Sequence, residues 1–378
     1  MGKTVLTAAA LLAVILTDSS ARPQRTLPAS GPQIRTEIRK AVPLGGTDTV
    51  SLMILGDVMV HARQLEHEFG AFLKHLAPAM RAADFTAANL EFSLGGEPYS
   101  GYPSFSAPDS IATVLATQCG VNIFLTANNH ILDRGTAGLE RTLEVYAGLR
   151  DSLGTRYTGC AADSLDEAGN NPLMLLDKGV RIALVNFTYG TNHAKAPGWP
   201  EVSYMLKDEV AETMEAARNS GADFIVALPH WGTEYSLRHD SVQEDWAEWL
   251  VASGADAVVG SHPHVVQDTA RIDGKPVIYS TGNAVSNMSA INTRLGMAVT
   301  LRFVHDLRSG EKKLLEPELT FTWCCLPGML DDGYSTIIIK EWACRRDDWL
   351  TPSDFDNMVS TLGRVRAATG ISGQLAGL

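Results

Sequence analysis

The sequence predicts a layered α/β domain containing more than one sheet. Short apolar runs alternate with helically spaced segments from Val50 to Val259, and strand-like runs dominate beyond that point. Polar and ionisable residues recur just past the ends of these runs, where open α/β sheets build their sites. The 378 residues suit one large domain or two ordinary ones, and 45% apolar with 20% charged residues is an ordinary globular composition.

The first residues read as a targeting segment. Lys3 supplies a basic start, Val5 to Leu16 an apolar stretch, and Ser19-Ser20-Ala21 the small residues of a cleavage site. Residues 1–21 are therefore expected to be a signal peptide, and the mature protein to be exported, periplasmic or extracellular, and soluble. Residues 22–48, rich in Pro, Gly, Ser, Thr and Arg, read as a linker. The main domain is expected over 49–310, with 311–378 adding strands and a helix that complete or flank it.

Val50-Ser-Leu-Met-Ile-Leu55 reads as a buried strand ending in Gly56-Asp57. Gln64 to Ala83 has helical spacing, and Asp84 to Asn89 is a strand followed by Leu90-Glu91. Ile111 to Cys119 is helical, and Val121 to Ala127 is a strand ending in Asn128-Asn129-His130. Gly135 to Asp151 is a helix whose apolar face carries Leu139, Leu143, Val145, Tyr146 and Leu149. Met174 to Leu176 and Arg181 to Phe187 read as a hairpin turning at Asp177-Lys-Gly179.

Lys207 to Ser220 is a helix closed by Gly221. Phe224 to Pro229 is a strand ending in His230-Trp231-Gly232. Ser241 to Ser253 is a helix, with Ser241 and Glu244 placed as a capping box. Ala257-Val-Val259 is a short buried strand that runs into Gly260-Ser-His-Pro-His264. Pro276 to Ser280, Met297 to Phe303, Leu314 to Thr322 and Thr336 to Lys340 read as further strands, and Pro352 to Ala368 as a last helix.

Five strand ends thus carry Asp57, Glu91, Asn129 with His130, His230, and His262 with His264. Neutral imidazole is the commonest protein ligand for transition metals, and a mixed carboxylate, amide and imidazole set suits zinc, manganese or iron better than calcium. Carboxylates also bridge paired metals that serve hydrolysis. The net charge of −12 speaks against nucleic acid as a partner, because phosphate backbones attract Lys and Arg.

Eight stretches in order then resemble the CapA family of bacterial capsule and poly-γ-glutamate synthesis proteins, within the calcineurin-like metallophosphoesterase superfamily. They are Gly56-Asp57-Val-Met, Asn89-Leu-Glu91, Ala127-Asn-Asn-His130, Asp133-Arg-Gly135, Tyr189-Gly-Thr-Asn192, His230-Trp-Gly232, Gly260-Ser-His-Pro-His264 with Gln267, and Tyr279-Ser-Thr-Gly-Asn283.

The resemblance implies a four-layer αββα sandwich of the metallophosphoesterase type with a short C-terminal extension. It implies a first metal on Asp57 and His264, a second on Asn129, His230 and His262, and Glu91 between them. His130 would donate a proton to the leaving group. Asp133 would orient it, or else cap the following helix. Met59 stands where the superfamily has a histidine, so the first metal is expected to bind more weakly than the second. His61 is the alternative donor there.

Trp231 and Asn192 are placed to line the substrate pocket, with core packing as the other reading of Trp231. Arg294 is placed to pair an anionic group of the substrate, a solvated surface arginine being the alternative. His67, His75, His193, His239 and His305 follow no partner pattern. The odd count of five cysteines leaves at least one thiol unpaired, and adjacent Cys324-Cys325 is expected to serve packing.

The implied function is a metal-dependent hydrolase of capsule or poly-γ-glutamate metabolism, acting on an anionic polymer or a small anionic substrate. The other reading is a non-catalytic, metal-stabilised subunit of an envelope polymer synthesis or export assembly.

Overall fold

The structure, a computed structural model, describes residues 46–194 and 196–371. The signal-peptide reading and most of the linker lie outside the described residues. The first strand, Thr47–Val58, begins inside the segment expected to be linker. Its apolar run is continuous because both faces are covered. Val50, Leu52 and Ile54 join one core cluster, while Met53 and Leu55 join another on the opposite face.

Among the described residues, the first sheet has nine strands. Its main order is Ser335–Ile338, Glu318–Cys325, Leu295–Asp306, Thr47–Val58, Phe85–Leu90, Ile123–Leu125 and Arg156–Thr158. Asn283–Val285 also pairs with the first strand, and Lys312–Leu314 with Leu295–Asp306. The second sheet has six strands in the order Thr269–Ile272, Lys275–Ile278, Ala257–Val259, Phe224–His230, Val180–Thr188 and Leu173–Asp177. The sheets share an apolar core that includes Leu52, Ile123, Leu184, Val226, Val259 and Val299. Helices Gly135–Leu153 and Ala77–Ala82 cover the outer face of the first sheet, and Lys207–Asn219 and Ser241–Ala252 that of the second. The layers are therefore helix, sheet, sheet, helix. The last helix, Pro352–Thr369, packs Phe355, Met358, Leu362 and Val365 into the inter-sheet core.

Several elements differ from the sequence expectation. Gln64 to Ala83 is not one helix but a 3-10 turn Ala62–Glu66 and short helices Phe69–Phe72 and Ala77–Ala82. Gln64 is buried and binds back to the His61 backbone N–H and the Met59 carbonyl, which closes the turn. Pro78 starts rather than continues a helix, because it has no N–H to donate. The cap of the 241–252 helix is Asp240, one residue before the expected Ser241. Its carboxylate accepts from Gln243 N at 2.9 Å, while Gln243 Oε1 accepts from Asp240 N at 3.1 Å. Cys119, Cys324, Cys325 and Cys344 are free thiols, with Cys324 and Cys325 buried in the packing as expected.

The two sheets meet where Tyr279 to Gly282 carries the chain from the second sheet into the first. Gly260 N donates to Ile278 O at 2.8 Å and Thr281 N to Gly260 O at 3.1 Å. Asp57 N then donates to Gly282 O at 2.9 Å. A Cβ on Gly56 would lie 2.0 Å from that carbonyl oxygen, so this approach requires glycine. Gly56→Ala is expected to force the strands apart and cost about 3 kcal/mol or more of stability, as overpacking against backbone does. Urea denaturation of the purified variant measures this, and an unchanged midpoint would refute it.

Candidate metal centre

The neighbouring strands that carry the site run parallel, so their carboxyl ends open on one side. Asp57, near the end of the first strand, is flanked in register by Asn89 and Asn283. Glu91 follows Phe85–Leu90, and Asn129 and His130 follow Ile123–Leu125. His230 ends its strand, and His262 and His264 lie in the loop after Ala257–Val259. All seven side chains are buried, at 0–6% exposure, although they span some two hundred residues of sequence.

Glu91 stands at the centre. Its Oε1 is 3.5 Å from His230 Nε2 and 3.7 Å from His264 Nε2. His264 Nδ1 lies 3.6 Å from Asp57 Oδ2, and His230 Nε2 is 2.8 Å from Asn129 Oδ1. Two donor triads result: Glu91, His262 and His264, and Asp57, Glu91 and His230. The implied split put Asp57 with His264 and His230 with His262. All four fall among the donors of these triads, His264 lies 3.6 Å from Asp57, and Glu91 belongs to both. His61 stays outside both, because its Nδ1 faces Gln64 Oε1 at 3.1 Å and Asn287 N at 3.4 Å. Met59 is buried in the core.

The electrostatics favour a cation here. Neither carboxylate oxygen of Glu91 has a hydrogen-bond partner, and neither does His262 Nδ1. Burial, then the neighbouring Asp57, push the Glu91 carboxyl well above its usual range. Burial raises Asp57 to about 6 against the opposing hydrogen bonds of Asn89 and the His262 N–H. Burial lowers His262 to about 4, His264 to about 3, and His230 well below its ordinary value. The imidazoles are thus held neutral, the form that binds metal. The carboxyl groups lack the counter-charge that a buried anion requires. His262 and His264 also adopt φ of +100° and +58°, costing on the order of 1–3 kcal/mol each. The donor set fits a divalent transition ion.

Beside the triads, His130 Nδ1 lies 2.7 Å from Asp133 Oδ2, which also accepts from Phe105 N at 2.7 Å. The following helix, Gly135–Leu153, has Arg134 as its cap with no side-chain hydrogen bond, so Asp133 is the partner of His130 and not a cap. The exposed Asn192 places its amide nitrogen 3.1 Å from His130 Nδ1.

Two expected substrate residues are elsewhere. Trp231 is fully buried, and its indole N–H donates to Tyr279 O at 2.9 Å in the core under the 241–252 helix. Its side chain leaves the strand on the face opposite to that of His230, as the alternation of a strand requires. Arg294 makes two 2.6 Å bonds to the buried Asp354, donates from Nε to Cys324 O and lies 4.4 Å over the Trp323 ring. It ties the last helix to the first sheet.

The sequence reading missed Asn89 and Asn283 as site residues. Asn89 Nδ2 donates to Asp57 Oδ1 at 2.7 Å and lies 3.3 Å from His230 Nδ1. Two-residue alternation places Asn89 on the same side as Glu91, which is the signal that could have found it.

An αββα sandwich whose parallel strand ends enclose imidazoles and carboxylates is a fold built around a candidate metal centre. The chain belongs to the bacterial capsule synthesis protein PGA_cap family, which it matches over residues 51–288. It is 25% identical over 275 residues to the capsule biosynthesis protein CapA of Bacillus anthracis, covering 69% of this chain and 65% of that protein. It is 28% identical over 262 residues to the PGA biosynthesis protein CapA of Bacillus subtilis, covering 65% and 66%. The alignments thus span just under two thirds of these relatives' own length. Among solved structures, the calcineurin-like phosphoesterase YfkN of Bacillus subtilis is 15% identical with a TM-score of 0.44, covering 85% of this chain and 100% of that one.

Removing Arg294 strands a buried carboxylate. Arg294→Ala is expected to cost roughly 3–5 kcal/mol in urea denaturation while leaving metal uptake by the folded protein unchanged. Unchanged stability with weakened binding of an anionic substrate would return Arg294 to the site.

Proposed function

We propose that this chain is an exported, metal-dependent hydrolase of capsule or poly-γ-glutamate metabolism that cleaves an amide or a phosphoester. The observation that carries the reading is Glu91, a fully buried carboxylate without a hydrogen bond, ringed by neutral imidazoles and shared by two donor triads. A structural role for this cluster alone would leave such a group paired or absent.

Asp57, Glu91, Asn129, His230, His262 and His264 would hold the ion or ions. A bound divalent transition ion supplies Lewis acidity, which polarises the scissile group and makes water nucleophilic near neutral pH. The protein's own contribution is threefold. The buried strand ends fix the donors. His130, oriented by Asp133, delivers a proton to the leaving group. Asn192 borders the place where that group would sit. We further propose one tight and one weak metal position, since the two triads share Glu91 and Asn129 adds an oxygen donor beside His230 only. An envelope polymer-synthesis assembly is the proposed setting.

Calorimetric titration with Mn²⁺ or Zn²⁺ should resolve unequal binding. Glu91→Gln should weaken it more than loss of any single histidine, because both triads lose a member. Two equal sites, or full uptake by Glu91→Gln, would sink this assignment.

His130→Ala should retain metal but lose on the order of 10²- to 10⁴-fold in turnover of poly-γ-glutamate or a generic phosphodiester. Retained metal with full capsule formation by His130→Ala cells would favour the non-catalytic assembly role.

A further inference from the structure

The Tyr279 to Asn283 stretch is the one family-like motif without a part in the chemistry above, and Asn283 sits against the site. Its backbone pairs in register with Asp57 on the first strand. Its side chain, 1% exposed, faces His264, which comes from the second sheet's loop. The Asn283 amide nitrogen lies 3.0 Å from Thr293 O, 3.3 Å from His264 O and 3.3 Å from Ser286 Oγ. Two of these are backbone carbonyls that only accept, so the NH₂ must point at them. The Asn283 oxygen is therefore the atom 3.0 Å from His264 Nδ1, and that nitrogen must be the donor. The other ring nitrogen, Nε2, is left as a lone pair 3.7 Å from Glu91 Oε1.

We propose that Asn283 is a positioning residue for the metal centre: it fixes the Nδ1–H tautomer of His264, presents Nε2 to the ion, and holds the two sheets in register across it. Second-shell oxygens bonded to a ligand imidazole set its tautomer, its ring orientation and its basicity. Here the same residue is also a strand partner of the ligand Asp57. One side chain thus connects a first-sheet strand to a second-sheet imidazole.

The test begins with metal-free protein, so it does not depend on the hydrolase reading. Histidine ¹⁵N labelling, with His264→Ala to assign the resonance, reads the tautomer directly. The expected result is His264 protonated on Nδ1, and protonation on Nε2 would overturn the proposal. In Asn283→Ala the tautomers should mix, and calorimetric affinity for Mn²⁺ or Zn²⁺ should fall on the order of 10- to 100-fold. Ser286→Ala removes an acceptor of the Asn283 amide without touching His264, and should change neither readout. Asn283→Ala with unaltered tautomer and affinity also overturns the proposal. If Asn283→Ala does not fold, the tautomer in the unaltered protein decides alone. If the unaltered protein takes up no metal, the hydrolase reading fails while the tautomer result stands by itself.

Discussion

The architecture of the site depends on one close backbone approach. Gly56 lets the carboxyl end of the first strand come against the Gly282 carbonyl, and the adjacent Asp57 N–H closes a hydrogen bond to it. That contact seats the segment that arrives from the second sheet against the first strand, at the edge where the parallel strands end. Aligned sheets packed only through apolar side chains can slide, because the hydrophobic effect is non-directional. A backbone hydrogen bond that anchors the crossover between them limits this freedom. Asp57 and Glu91 then face His230, His262 and His264 across a gap that main-chain geometry sets first. Sites held this way keep their donors in place before any ligand arrives.

This rigidity has an electrostatic consequence. Two carboxyl groups and three imidazoles are confined without solvent, and burial is the largest influence on each of them. Without a cation the carboxyls resist ionising and the imidazoles resist protonation. The cluster therefore stores unfavourable desolvation that the rest of the fold must offset. The left-handed backbone at His262 and His264 adds to this cost. A fold bears such a cost where the arrangement serves binding, as strained and poorly satisfied groups concentrate at functional sites.

Much of this was legible in the sequence, for a specific reason. Asp57, Glu91, Asn129, His230, His262 and His264 each sit at the end of a short apolar run, and parallel strands must end on one side. Periodicity therefore placed them together without any knowledge of side-chain direction. Direction is what the sequence leaves open. Trp231 follows a site residue immediately, and for that reason points away from it. Arg294 lies in a loop near the site, but its partner Asp354 is sixty residues later, beyond any local pattern. The cap at Asp240 and the interrupted helix after His61 depend on which of several adjacent polar side chains turns inward, and propensity does not distinguish them. Asn283 went unread as a site residue because an amide after a strand looks like turn chemistry until its hydrogen bonds are counted.

The fate of Arg294 bears on how an anionic substrate would be held. The chain carries a net charge of −12, and the arginine expected to meet the substrate binds Asp354 through both terminal guanidinium nitrogens. The site itself contributes Asp57 and Glu91, whose ionisation adds negative charge. An anion approaching the bare cluster would be repelled or, at best, met by neutral imidazoles. A divalent ion held by the triads reverses the local sign, because a bound cation is the largest charge in such a site. In the proposed reading the metal therefore does two jobs, activating water and supplying the attraction that the protein surface lacks. Substrate affinity and metal occupancy would then be linked, and a protein stripped of its ions would lose binding together with turnover.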